Sequence, residues 1–170
     1  RTAVMTGLRP CSTGVVHNGV YFRDTVPDVV TLPQYFKQHG YETACAGKIY
    51  HGRFDDDDNS WTREAVPTPW KHRRPYRGYQ LSRNRELVKA RVDKMKKRYE
   101  GGEVWPVTCG PPTECADVPD GAYRDGRVAD SAIATLREIK DRPFFLGVGF
   151  HRPHLPLTAP KKYWDLYDPA

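Results

Sequence analysis

The chain has 170 residues, enough to bury one hydrophobic core; its 27 Lys and Arg against 21 Asp and Glu give a formal charge of +6. No run of about 18 apolar residues occurs, so nothing in it reads as a membrane-spanning helix. The positive balance favours polyanions (nucleic acid, acidic lipid, sulfated or phosphorylated substrates) without choosing among them, and a mean hydropathy of -0.73 points to long surface loops.

The sequence opens on Arg1 and closes on Asp168-Pro169-Ala170, which reads as an internal piece of a larger protein, with any signal region out of view. RTAVMTG (1–7) has the look of a short helix stopped at Gly7. TLPQYFKQHG (31–40) carries its own punctuation: Thr31 and Gln34 form a T-x-x-Q capping box, Pro33 sits in the first turn and Gly40 closes the end. YETACAG (41–47) reads as a short strand, and residues 48–84 as irregular. Over 86–100 the pattern predicts a helix with Val88, Val92, Met95 and Tyr99 in one stripe. Its basic face is either a polyanion-binding ridge or an ordinary solvated surface. A Gly/Pro-rich connection follows over 101–124.

RDGRVADSAIATLREIKD (124–141) is the clearest helix. Asp125 is the expected N-cap, and Val128, Ala129, Ala132, Ile133, Leu136 and Ile139 form a wide apolar stripe. PFFLGVGF (143–150) then reads as a strand buried on both faces. Helix–strand alternation points to an α/β fold with a largely parallel central sheet flanked by helices, and no linker divides the chain. Of the four cysteines, Cys45 is expected to be buried. Cys109 and Cys115 flank a Gly-Pro-Pro turn, and either pair in an oxidising compartment or remain thiols.

Two segments suggest chemistry. GFHRPHLPLTAP (149–160) directly follows the predicted strand 143–150, and in open α/β sheets ligands bind beyond the carboxyl ends of strands. Prolines 153, 156 and 160 restrict φ, so His151, Arg152 and His154 can be held in place for acid–base work or anion binding; a surface loop with histidines capping backbone groups is the alternative. GKIYHG (47–52) follows the other predicted strand. Lys48 offers a charge for an oxyanion, and its proximity would favour the neutral, basic form of His51.

These stretches together, RTAVMTGLRP (1–10), TLPQYFKQHGYETACAGKIYHG (31–52), ADVPDGAYRDGR (116–127) and PFFLGVGFHRPHLPLTAPKKYWDLYDP (143–169), resemble the sulfatases of the alkaline phosphatase superfamily, nearest to the iduronate-2-sulfatase branch. The resemblance implies an alkaline phosphatase-like fold, with residues 1–170 forming part of the N-terminal catalytic domain, truncated at both ends. It also implies that this is a sulfuric ester hydrolase acting on sulfated glycans. Arg1 matches the arginine of the family signature Cys-x-Pro-Ser-Arg, which places the formylglycine nucleophile just upstream of it. Lys48 matches the lysine that contacts sulfate and hydrate. His51 matches the histidine that takes the hydroxyl proton of the intermediate, and His154 the one that binds sulfate and assists the leaving group. His151 and Arg152 are further substrate-binding candidates. Calcium (Ca2+) is the implied metal, with ligands outside this chain. A periplasmic, extracellular or lysosomal location is expected.

Asp55 to Asp58 do not make a calcium loop, because four consecutive side chains cannot easily converge on one ion. Cys11 is not the formylglycine cysteine, since Ser12-Thr13-Gly14 follows it. The competing readings are a phosphodiesterase or phosphonate hydrolase of the same superfamily and a non-catalytic polyanion-binding relative. A nucleic-acid binder using Trp61, Trp70, Arg73, Arg74, Tyr76, Arg77 and Tyr79 as a stacking surface ranks last. The expected partner is therefore a sulfate ester, with neither nucleic acid nor membrane.

Overall fold

The two apolar runs that frame the sequence pair with each other. In the computed structural model, which describes residues 1–51, 58–63, 78–98 and 110–167, β1 (Glu42–Gly47) lies parallel to β3 (Phe144–Gly149). Their register is unbroken from Glu42 opposite Phe144 to Gly47 opposite Gly149. A second parallel pair joins β2 (Thr113–Ala116) and β4 (Leu157–Pro160). The fold is thus mixed α/β with two small parallel sheets; the expected central sheet does not occur as one sheet among the described residues.

The chain divides into two compact units, Arg1–Thr68 with Val128–Phe150 and Pro69–Arg127 with His151–Ala170. No linker composition betrays the division. Of the three crossings, one falls between Thr68 and Pro69, one inside the helix that spans Arg127 and Val128, and one between Phe150 and His151.

In the first unit, α1 (Thr2–Thr6) ends on Gly7 in the left-handed region, at φ 69°. The short turns α2 (Pro10–Thr13) and α3 (Phe22–Thr25) follow. In α4 (Leu32–Gln38), the Thr31 hydroxyl accepts from the Gln34 amide and the Gln34 side chain accepts from the Thr31 amide, as the capping box requires. Helix α4 packs on β1 and β3. Beneath it lie Phe22, Cys45, Ile49, Tyr50 and Trp61, with Met5 and Phe145 against them. Cys45 is buried as expected. Trp61, expected on a stacking surface, is a core residue instead. On β3 the expected burial of both faces is not met: Val148 is 40% exposed, since β1 is the only strand paired with β3 among the described residues.

In the second unit, α5 (Ser82–Arg98) begins four residues before the expected start. The cause is remote in sequence. The Glu114 carboxylate on β2 is 3% exposed and accepts from the amides of Gln80 (2.6 Å) and Leu81 (3.1 Å), from Asn84 Nδ2 (2.7 Å) and from the Tyr123 hydroxyl (2.7 Å). It places a negative charge at the positive end of the α5 dipole, where α5 itself has no acidic residue in its first turn. Val88 and Val92 are buried beside Tyr79, with Met95 partly covered; Tyr99 lies outside the described residues. Tyr79 is thereby also removed from the supposed stacking surface. Trp70, Arg73, Arg74, Tyr76 and Arg77 lie outside the described residues, as does Cys109; its possible partner Cys115 is exposed on β2.

Helix α6 (Arg124–Ile139) buries Val128, Ala132, Thr135 and Ile139 at i, i+4, i+7 and i+11. That stripe is narrower than expected, with Ile133 and Leu136 exposed. The 3-10 turn Asp120–Ala122 closes over the start of α6. Only a glycine fits beneath it, because a Cβ on Gly126 would collide with the Asp120 carbonyl. The last described helix, α7 (Lys161–Trp164), packs on β4 and β2.

Candidate active site

One candidate cluster is built on the paired strand ends of the first unit. The Lys48 amide donates to the Gly149 carbonyl at 2.6 Å, and a Cβ on Gly149 would fall on the Lys48 carbonyl. Gly47 is equally confined: its φ is 83°, and a Cβ there would meet the Gly149 carbonyl. Two glycines therefore let the chain leave both strands from one place. The Arg1 guanidinium sits at that place, donating to the Lys48 carbonyl and to the Phe150 carbonyl (3.3 Å). Arg1 and Lys48, remote in sequence, are thus brought together. Lys48 is only 7% exposed. Ile49 and Tyr50 plunge into the core beside it, and the Tyr50 hydroxyl meets Ser60 Oγ at 3.1 Å. His51, half-buried, follows these two anchors.

The segment His151–His154 belongs to the other unit. The His151 and His154 rings stack, with centroids 4.8 Å apart, and the His154 amide donates to the His151 carbonyl. His154 Nδ1 faces the Leu155 carbonyl at 2.6 Å. A carbonyl only accepts, so this nitrogen carries the proton and Nε2 keeps the lone pair. His151 has the opposite arrangement. Its Nδ1 accepts from the Arg124 guanidinium at 3.3 Å, which puts the neutral ring's proton on Nε2.

Arg152, a candidate for substrate contact, is engaged within its own segment. Its guanidinium donates to the Thr158 hydroxyl (2.8 Å), the Thr158 carbonyl (3.4 Å) and the His154 carbonyl, tying the segment to β4. Burial pulls its pKa below the usual arginine value, against the pull of Asp125. Asp125 itself is not the N-cap the sequence suggests. It lies inside α6, and its two oxygens accept from the amides of His151 and Arg152, each at 2.9 Å. An aspartate at a helix start looks like a cap in sequence, and bonds spanning 26 and 27 residues leave no local signature. The Arg152–Pro153 and Leu155–Pro156 peptides are both cis.

Among the described residues no group of three or more His, Cys, Asp or Glu is disposed to hold a metal ion. Asp55, Asp56 and Asp57 lie outside them, and Asp58 is exposed. The residues described do not supply a calcium site.

A family model described as "Sulfatase" matches residues 1–168. The chain belongs to the sulfatase family. It is 33% identical over 175 residues to the iduronate 2-sulfatase of Homo sapiens, covering 98% of this chain and 28% of that protein. The iduronate 2-sulfatase of Mus musculus is 30% identical, with the same two shares. A sulfatase of Formosa agariphila is 30% identical over 98% of this chain and 31% of its own length. The chain thus spans somewhat over a quarter of the curated relatives it matches. Sulfatase membership implies the alkaline phosphatase-like fold and sulfate-ester hydrolysis as the family chemistry.

Proposed function

We propose that this chain is part of the N-terminal catalytic domain of a hydrolase that cleaves sulfate esters on glycans, in a periplasmic, extracellular or lysosomal setting. The observation that supports this most is the convergence at Gly47 and Gly149. Lys48 and Phe150 follow two paired strands at their carboxyl ends, where α/β enzymes bind ligands, and the Arg1 guanidinium donates to the carbonyls of both. The iduronate 2-sulfatase relatives favour a sulfated sugar as substrate.

In this reading the nucleophile is a formylglycine hydrate just before Arg1, and Arg1 stabilises its charge. Lys48 holds a sulfate oxygen, where its buried ammonium acts in a low dielectric. His154 binds sulfate and, once protonated at Nε2, gives that proton to the departing alkoxide, which is a poor leaving group without it. His51 accepts the hydroxyl proton as the sulfated intermediate collapses. His151 lines the substrate pocket, and Arg152 shapes the segment that carries both histidines. Calcium, if used, would take its ligands from outside this chain.

The test is turnover of an aryl sulfate and of an aryl phosphate diester by the whole protein. Sulfate turnover that falls about 10²–10⁴-fold in His154→Ala and about 10²–10³-fold in Lys48→Ala is the expected result. Diester hydrolysis without sulfate hydrolysis would replace this reading with the phosphodiesterase one.

A further inference from the structure

We infer that Asp125 is a positioning residue for this reaction: its carboxylate orients the His151–His154 segment so that His154 Nε2 meets the leaving oxygen. The inference rests on the role proposed above for His154.

The carboxylate oxygens are divided between two successive amides, Oδ1 to His151 and Oδ2 to Arg152. Two parallel bonds from one rigid planar group fix a direction as well as a distance, and charge-assisted bonds of this kind are the stronger sort. Their base is firm. Asp125 stands in the first turn of a 16-residue helix. The neighbouring turn is locked over it by Gly126 and by Arg127, whose guanidinium donates to the Gly121 and Ala122 carbonyls.

The residues on either side complete the clamp. Arg124 holds His151 Nδ1, and Arg152 holds the His154 carbonyl and Thr158. Asp125 grips backbone, Arg124 a ring, and Arg152 the far end of the segment. His154 is itself exposed, and its Nδ1 bond to the adjacent Leu155 carbonyl sets the ring only relative to its own backbone. The ring is placed by that backbone and by its stack on His151, and both follow from the His151 and Arg152 amides that Asp125 holds.

The experiment uses the whole enzyme and a series of aryl sulfates of graded leaving-group acidity, with Asp125→Asn, Asp125→Ala, His154→Ala and the Asp125→Asn/His154→Ala double variant. Asp125→Asn keeps one acceptor oxygen and carries the test if the alanine variant does not fold. The expected result is a fall in kcat/KM of about 10–100-fold for poor leaving groups, shrinking towards wild type for good ones. The double variant should lose little beyond His154→Ala alone, because both changes disable one step. General destabilisation would lower every substrate alike. A uniform loss, or losses that multiply in the double variant, would overturn the inference while leaving the His154 assignment intact. A His154→Ala enzyme with no leaving-group dependence would overturn both.

Discussion

At Gly149 and Gly47 a single methyl group decides whether the strand ends can meet. Gly149→Ala would drive a Cβ into the Lys48 carbonyl, backbone that cannot swing aside, and is expected to cost upwards of about 3 kcal/mol in urea denaturation. Gly40→Ala is the control. Gly40 has a φ of 80° but open space around it, so only backbone strain is added and about 1 kcal/mol should be lost. Tyr123 gives a pH-dependent counterpart. Burial, followed by its bond to Glu114, raises its pKa above the ordinary value of 10. The folded state therefore favours the neutral phenol, and the stability this confers is complete below pH 10 and is lost as pH rises beyond it. Alkaline titration of the melting temperature should show that fall, with a shallower slope in Tyr123→Phe. Lys48 and the histidines stand out as candidates in the sequence because their residue types suggest chemistry. Asp125 and Glu114 are not, since what they bind lies about 30 residues away and each resembles an ordinary helix-start or surface acid.

Elements with local causes are likewise the ones that sequence reveals. Helix α4 carries its capping box and its terminal glycine within ten residues, and α6 its own apolar stripe. Strand β2 hides in a Gly/Pro-rich stretch because it has only four residues, and it exists by pairing with β4, itself concealed among prolines. The first turn of α5 depends on Glu114 in the same way. Glu114→Ala would strip two amides, an Asn side chain and a tyrosine hydroxyl of one buried acceptor. A loss of about 3 kcal/mol is expected, with hydrogen exchange rising first at Leu81 to Asn84. An unchanged exchange pattern there would show that α5 begins without its help.

At the scale of the molecule, the 170 residues supply Arg1, Lys48, His51 and His154 but, on the proposed reading, neither nucleophile nor metal ligands. Expressed alone, the chain should leave an aryl sulfate untouched; measurable turnover would refute that assignment of parts. One further property belongs to the whole chain but arises in a single element. Helix α5 carries eight Lys and Arg against two acids, all exposed, so its net of six positive charges equals that of the entire chain. The remaining 153 residues balance to zero. The basic isoelectric point near 9.2 is thus the property of one 17-residue segment. Replacing six of those cations with glutamine would bring the isoelectric point close to neutrality, where colloidal repulsion between molecules vanishes and precipitation begins.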